Sequence, residues 1–588
     1  MDQKRLFLAI ALSVLILVAF QALLPAPRHV PPPRSALQTE EPARPAPAPP
    51  PAGTVAKAAP DTAGAKPAAP AGPVPHIAVD APRLSGRISL VGARLDEVVL
   101  NDYHETIDKT SPLVQLLAPQ GAKEPTYIQF GWSAEGGVRV PDNATRWAAS
   151  ADTLTPRAPV TLSWDNGAGV TFELVFSVDD EYMFRVEQRV RNTTGARVAV
   201  HPWQRVNRDY TPETGGYSVL HEGMVGWVDG RLREDSYATT KSNGEKHDGV
   251  AYQGTGTGGW AGFTDKYWLE AVIPSQTEQA TTTYRYVAGG SGAYQADTVS
   301  AAAQIVPPHG DATTVARAFV GAKEIRLLNR YQDQSGVSHF SYAIDWGWFW
   351  FLTKPIYYAL DWLYAALGNF GLAILVFTII VKGLFFPLAN RSYKSMSKMK
   401  LLAPKMQAIR EQYKDDPTKM QQQTMALYKN EGVNPASGCL PMVVQIPVFF
   451  SLYKVIFINI DMRHAPFFGW IHDLSAIDPT NVFNLFGLIP FDPTTISPFL
   501  HLGIWPLIMG VTMWGQQKLN PPPPDPTQAK LFQLMPIIFT FMLARFPAGL
   551  VIYWTWNNLL TIGQQWLIMR QTRLERPRLA RTSRSANT

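Results

Sequence analysis

Cysteine is almost missing from this chain: Cys439 is the only one in 588 residues. That excludes a disulfide framework and a thiolate metal centre. The signatures of common catalytic machinery are missing too. No G-x-x-x-x-G-K-[ST], H-E-x-x-H or G-x-S-x-G occurs, so nucleotide hydrolysis, zinc proteolysis and serine hydrolysis have no local motif to rest on. The glycine cluster GTGTGG at 254–259 lacks the lysine of a phosphate-binding loop and is read as a plain loop. His201, His221 and His247 are scattered without ligand spacing and are read as ordinary surface or core histidines. No enzyme activity, cofactor or metal is expected.

What is present is uneven. The length exceeds one ordinary domain, and a mean hydropathy of −0.07 averages a polar middle with a very apolar C-terminal third. After MDQKR an apolar run extends from Leu6 to Leu24. It is long for a signal-peptide core and no A-x-A cleavage site follows, so residues 1–24 are expected to be a retained signal-anchor helix. Residues 25–76, with PPPR, PARPAPAPPP and KPAAPAGPVP, cannot bury a core and are expected to form an extended, flexible tether. From 77 to 335 the texture is that of strands. In VTFELVFSV, Phe172, Leu174, Phe176 and Val178 share one face. Beyond Asp179-Asp180, FRVEQRVR puts Phe184, Val186 and Val190 on one side and Arg185, Glu187, Arg189 and Arg191 on the other. Alternation with period two predicts half-buried strands, here a hairpin. Similar runs at Arg87–Leu100, Tyr127–Trp132, Trp268–Ile273 and Thr313–Val320 fit one large β-sandwich.

Past Tyr342 the chain reads as a membrane protein. Residues 343–368 combine Trp346, Trp348, Trp350 and Trp362 with Lys354 and Asp361, the mixture expected of a helix lying in the interface. Apolar stretches at 369–388, 436–460 and 498–516 predict three spans. The block Leu531–Met569 is too long for one crossing. Arg545-Phe546-Pro547-Ala548-Gly549 interrupts it, which predicts spans at 531–547 and 549–569. With the anchor, six spans result. Between and after them lie a polar segment at 389–434, loops at 461–497 and 517–530, and a basic tail at 570–588. Charge orients the whole. Nine Lys and Arg against three acids occupy Arg391 to Lys429, and six Arg against one Glu follow Met569, whereas the 461–497 loop has four Asp and one Arg. Basic segments stay in the cytoplasm, which predicts both termini inside and the β domain outside. The net charge of +6 then follows from topology rather than from a nucleic-acid partner.

One charge stands out of place. Gly371–Leu388 reads GLAILVFTIIVKGLFFPL, and a lysine inside such a helix costs about 2.5–3.5 kcal/mol unless it meets protein or water. Snorkelling toward the cytoplasm is the plain reading of Lys382. Helical side chains lean toward the N-terminus, however, and this helix starts on the outer side, so the stem sets out the wrong way. Thr378 lies one turn earlier on the same face. Tyr553, Asn557, Thr561 and Gln565 repeat every four residues on the last span, and Gln445 adds an amide to the third. Each alone is ordinary glue between helices; with Lys382 they predict a polar groove open to the cytoplasm. Segment 389–434 reads as two helices turning at Asp415-Asp416-Pro417 and punctuated by Met396, Met399, Met406, Met420 and Met425. These methionines either bury against one another or offer adaptable contacts to apolar partners.

The long segments VKGLFFPL, SMSKMKLLAPKMQAIREQYKDD, ALYKNEGVNPASGCLPMVVQIPVFFSLY, FFGWIHDLSAIDP and FPAGLVIYWTWNNLLTIGQQ closely resemble the YidC/Oxa family of membrane protein insertases. The anchor, proline-rich tether and large β domain match its Gram-negative form. The resemblance implies a polytopic α-helical membrane protein with six transmembrane helices, five of them an insertase core, plus a large periplasmic all-β domain similar to the galactose-mutarotase supersandwich. It implies a non-enzymatic function: inserting newly made inner-membrane proteins, and assisting their folding, through a hydrophilic groove at Lys382, Thr378, Gln445, Asn557 and Thr561. Tyr553 and Trp554 match family positions near the client path, where they are either an apolar sliding surface or simply lipid-facing aromatics. The implied partners are nascent inner-membrane proteins, the ribosome, the Sec translocon and the lipid bilayer of the bacterial inner membrane. Met396, Met399 and Met406 and the tail residues Arg573, Arg576 and Arg578 are the expected cytoplasmic contacts. The arginines suit ribosomal RNA backbone or anionic lipid, and no specific nucleic-acid sequence. Family members usually carry arginine where this chain has Lys382; lysine keeps the charge but is able to shed its proton when desolvated. The alternative is a solute transporter with a periplasmic receptor domain, which calls for inverted repeats and matched broken helices. The sequence shows neither.

Overall fold

The computed structural model describes residues 74–585 apart from 215–219, 290–291, 415, 433–439, 498–499 and 521–525. The expected anchor at 1–24, nearly all of the tether at 25–76, and Cys439 lie outside the described residues. The chain divides into two units, Ala58–Pro521 with Pro536–Thr588, and Met1–Lys57 with Pro522–Met535. The first holds the sandwich and the polar site; of the second, only the start of one helix is described.

Two sheets, of eleven and nine strands among the described residues, build residues 76–322. The alternating sequence explains them. Strands Val170–Val178 and Met183–Asn192 form the expected antiparallel hairpin, with Phe184 opposite Val178 and Asn192 opposite Val170. Phe172, Leu174, Phe176, Phe184, Val186 and Val190 are fully buried, whereas Arg185, Arg189 and Arg191 face outward. Burying each such apolar side chain contributes about 1.5–3 kcal/mol. The sheets meet across this inner face: Phe130 of one packs edge-on against Phe176 of the other, and Trp132 tilts against Phe172. Buried Gln188 donates through Nε2 to Gly131 O at 2.8 Å, which satisfies an amide that burial alone would penalise.

Three local expectations need correction here. Arg87–Leu100 is two strands rather than one run, Leu84–Ser89 and Arg94–His104, with Gly92 and Ala93 at positive φ in the turn between them. The GTGTGG cluster is mostly strand: Val250–Thr257 pairs with Gln279–Val287, and only Gly258 and Gly259 turn. Its glycine serves close approach, because a Cβ on Gly256 would stand 2.7 Å from the Asp229 backbone nitrogen. Two helices that alternation did not predict, α1 (Tyr237–Lys246) and α2 (Ile325–Ser335), also belong to this region.

Among the described residues eight further α-helices follow: α3 (Trp350–Leu367), α4 (Phe370–Leu384), α5 (Phe386–Gln412), α6 (Pro417–Asn430), α7 (Leu440–Ile458), α8 (Ile504–Leu519), α9 (Pro526–Leu543) and α10 (Ala548–Ser585). Among the described residues no single helix is long and apolar enough to cross a membrane, but α4 and α5 pass together, bent by 68°. The expected straight helix at 369–388 therefore breaks after Leu384. Pro387, in the first turn of α5, has no N–H for the Gly383 carbonyl and its ring crowds that carbonyl, so α4 cannot run on through it and the bend falls at Phe385, φ −89° and ψ 5°. Within the stretch expected at 498–516 the described α-helix starts at Ile504, and the last helix runs past Met569 to Ser585. The segment around Met396 to Asn430 is two helices as expected. Asp416 caps α6 by accepting the Lys419 N–H at 3.0 Å, and Pro417 sits in its first turn. In α8 a Cβ on Gly510 would lie 2.1 Å from Thr540 Oγ1 of α9, so glycine is what allows those two helices to touch.

Candidate functional site: a polar cavity among four helices

Lys382 lies in the last turn of α4, where a cation also complements the carbonyl end of the helix. Its Nζ crosses to α10 and donates to Thr561 Oγ1 at 2.9 Å; that hydroxyl in turn donates to Asn557 O at 2.7 Å. A hydroxyl can accept and donate at once, so the lysine gains a partner without breaking the threonine's own bond. One turn and more up α10, the Tyr553 hydroxyl accepts from Gln445 Nε2 of α7. Lys382 and Gln445 line one small cavity, about 40 Å³, together with Tyr393 of α5, Gln564 of α10, Phe385 and Val448. That is room for very few waters.

The repeat of four explains how one stripe meets several helices. At 3.6 residues per turn, each step of four drifts by about 40° around the helix. Tyr553 consequently faces α7, Thr561 faces α4, and Gln565 reaches Asn520, just beyond α8, donating to its Oδ1 at 3.2 Å. Gln564 Nε2 of the cavity lining is buried without a protein partner, as are Asn557 Oδ1 and Gln565 Oε1 on the polar stripe of α10. Buried groups are normally paired, and water in the cavity would satisfy such an amide.

Other expected residues are placed differently. Thr378 is 2% exposed and spends its hydroxyl on Ile374 O of its own helix at 2.7 Å, away from the cavity lining. Trp554 packs against Phe449 and Phe539, with ring centroids 4.7 and 5.8 Å away. Met399 and Met406 pack around buried Leu402 and Tyr428 between α5 and α6, and the Tyr428 hydroxyl meets Met406 Sδ at 3.2 Å. Met396 is half-buried. The side chains of Arg573, Arg576 and Arg578 lie outside the described residues; their backbone is helical.

Sequence reasoning missed Lys454. It interrupts the apolar α7 just as Lys382 interrupts α4, and the same signal should have found it. Lys454 is 6% exposed and ion-pairs with Asp345, whose carboxylate also accepts the N–H groups of His221 at 2.9 Å and Gly347 at 3.0 Å. The pair ties α7 to the segment leaving the sandwich. Trp556 was missed as well: its Nε1 donates to Leu375 O at 3.2 Å and fastens α10 to α4. A larger cleft of about 590 Å³ opens beside strands Val170–Val178 and Met183–Asn192, where Arg189 pairs with Glu187 and Arg191 with Glu173.

Comparison with known proteins places both halves. Residues 362–575 match the family described as 60Kd inner membrane protein, and residues 76–359 match the YidC periplasmic domain. A membrane protein insertase YidC of Granulibacter bethesdensis is 60% identical over 99% of this chain and 100% of its own length. One from Acidiphilium cryptum is 57% identical over 86% of this chain and 85% of its own. Among solved structures, an active YidC insertase with its first transmembrane domain resolved aligns over 83% of this chain and 94% of its own, at 18% identity and TM-score 0.34. A putative aldose 1-epimerase from Escherichia coli K12 aligns over 42% of this chain and all of its own, at 9% identity and TM-score 0.29.

Proposed function

This chain belongs to the YidC family of membrane protein insertases, and from that premise we propose how its own residues do the work. It is an inner-membrane protein with a periplasmic domain, and its substrates are newly made membrane proteins. In our reading, α4, α7, α8, α9 and α10 together with the N-terminal anchor cross the bilayer six times. Both termini and the α5–α6 pair lie in the cytoplasm, and the sandwich lies in the periplasm.

The short polar end of a client enters from the cytoplasm and exchanges water for the partners around Lys382. The observation that carries this reading is the Lys382 ammonium held at 2.9 Å from Thr561 Oγ1, beside the cavity it shares with Gln445. Polar groups halfway across the membrane then have less hydrocarbon to traverse. The apolar segment follows into lipid, where each Leu or Ile gains about 0.3–0.6 kcal/mol. Transfer free energy drives the step, and the protein lowers its barrier. Tyr553 and Trp554, packed against Phe449 of α7, offer the apolar wall along which the segment slides. Thr378, buried and donating to Ile374 O, acts by shaping α4 one turn before Lys382. Met425, 52% exposed, and half-buried Met396 are left to meet a client, since Met399 and Met406 help hold α5 to α6. The basic end of α10, with Arg573, Arg576 and Arg578, is the proposed contact for the ribosome, and clients arrive either directly or from the Sec translocon.

Replacing the charge tests the reading. In proteoliposomes, Lys382→Ala should slow insertion of small single-span clients roughly tenfold, equivalent to about 1.4 kcal/mol of barrier, whereas Lys382→Arg should work nearly normally. Normal insertion by Lys382→Ala contradicts the proposal.

A further inference from the structure

The loop between α7 and α8 ends in a segment that does not suit water. From Val482 to Ile496 it carries one charged residue, Asp492, and its large apolar side chains point outward: Leu488 is 83% exposed, Ile496 71%, and Phe483, Leu485, Phe486 and Phe491 are exposed as well. Leu485 and Phe486 both hold left-handed backbone, φ 49° and 60°, a conformation that loops in water usually assign to glycine or asparagine.

The backbone of the same segment is satisfied from within. The N–H of Val482 donates to Leu502 O at 2.9 Å, that of Phe486 to Asn481 O at 2.9 Å, and that of Ile489 to Asn484 O at 3.1 Å. Asn484 closes the turn from both ends, accepting the Gly487 N–H at 3.0 Å and donating to Phe491 O at 3.3 Å. Asp492 is occupied locally by Thr494, whose N–H and hydroxyl it accepts at 2.9 and 2.7 Å. The base is rigid: buried Asp478 accepts from Thr480 and from the Trp505 N–H, and buried Asn481 donates to Leu500 O. Apolar side chains turned outward over a backbone paired within the protein suit the headgroup and acyl-chain boundary, where an unpaired polar group is costly and apolar burial is favourable.

We propose that Val482–Ile496 is a membrane-anchoring loop whose apolar side chains enter the acyl-chain boundary of the outer leaflet. The occupant is lipid. The apolar surface continues onto exposed Ile508, Val511 and Trp514 of α8, and the near absence of charge disfavours a polar protein partner or bulk water. The loop fixes the depth of α8 while clients pass elsewhere. This inference rests on reading α7 and α8 as spans joined on the outer side.

Depth-dependent quenching separates the two. In full-length protein carrying Cys439→Ser, an environment-sensitive fluorophore is attached at Leu488→Cys or, as reference, at Val511→Cys, and the protein is placed in phospholipid vesicles. Lipids bearing a nitroxide near the headgroup should quench the label at 488 severalfold more than aqueous iodide does, and lipids with deeper nitroxides should quench the label at 511. Quenching of 511 by lipid with 488 quenched by iodide alone overturns the anchoring loop but leaves the spans standing. Lipid quenching at neither position overturns both. A label at 488 shielded from lipid and iodide alike means that protein covers the loop, and also overturns the proposal.

Discussion

The sandwich and the helical half obey opposite surface rules. Among the described residues, the large apolar side chains exposed before residue 340 are Ile107 and Ile305 alone; from Tyr342 onward they occur on almost every helix, from Trp348 to Leu567. Inside, both halves mix the two kinds. Phe172, Phe176, Phe184 and Trp132 fill the sandwich around buried Arg208 and Glu270, and Leu452, Ile456, Phe457 and Met509 are buried among the helices beside Lys454 and Thr561. A domain that folds in water hides its apolar residues. A domain that folds in lipid also displays them, and the polar groups it keeps are turned toward protein.

If the halves are energetically separate, core truncation in one should leave the other intact. Phe176→Ala should destabilise the sandwich by about 3–5 kcal/mol, seen as earlier thermal unfolding of the full chain, with client insertion unchanged below that transition. Insertion that falls in step with sandwich stability breaks the separation. The junction is where separation should end. Burial pushes the Asp345 carboxyl up, but the Lys454 ammonium and the N–H groups of His221 and Gly347 outweigh it and hold the carboxyl below its ordinary range. Stability from this group is therefore present above the ordinary aspartate value and is lost as pH falls through the lower folded value. Asp345→Asn should cost about 3 kcal/mol, because it removes one charge of a buried pair, and hydrogen exchange should rise in both α7 and the segment around His221. A rise confined to one side would show that the pair does not couple them.

A smaller effect sharpens the description of the sandwich. Asp96 is buried in a bulge, where Leu95 pairs with Ile88 and Glu97 with Arg87 while Asp96 has no opposite residue. Desolvation pushes its carboxyl up to about 6, against the pull of Arg94 and Arg87. Its folded value exceeds its unfolded one, so its contribution is complete below about pH 4 and is lost as pH rises through about 6. Asp96→Asn should stabilise the sandwich by about 2 kcal/mol at pH 8 and flatten the pH dependence. An unchanged melting profile at pH 8 would refute the buried charge.

Much of this was legible in sequence because it depends on period. Phe172 to Val178 alternate, so their burial follows; Lys382 breaks an apolar run, so its need for a partner follows. Which partner it finds does not follow. Periodicity gives a helix its faces but not the neighbour that each face meets, and the drift of the Tyr553–Gln565 stripe across three partners is a property of assembled helices. Thr378 adds a detail that spacing does not carry: its hydroxyl donates to Ile374 O of its own helix. Pro387 carried a readable signal for the bend after α4. The apolar loop at 482–496 looked like an ordinary connection, because its backbone pairing is visible only in three dimensions.

Hydration of the cavity beside Lys382 can be measured directly with an impermeant thiol reagent applied to the cytoplasmic face of inverted membrane vesicles. In a Cys439→Ser background, Asn557→Cys should react far faster than Leu559→Cys, whose residue projects outward on the same helix. Equal, slow reaction at both positions would mean that position 557 meets hydrocarbon, and the route proposed for clients would not exist.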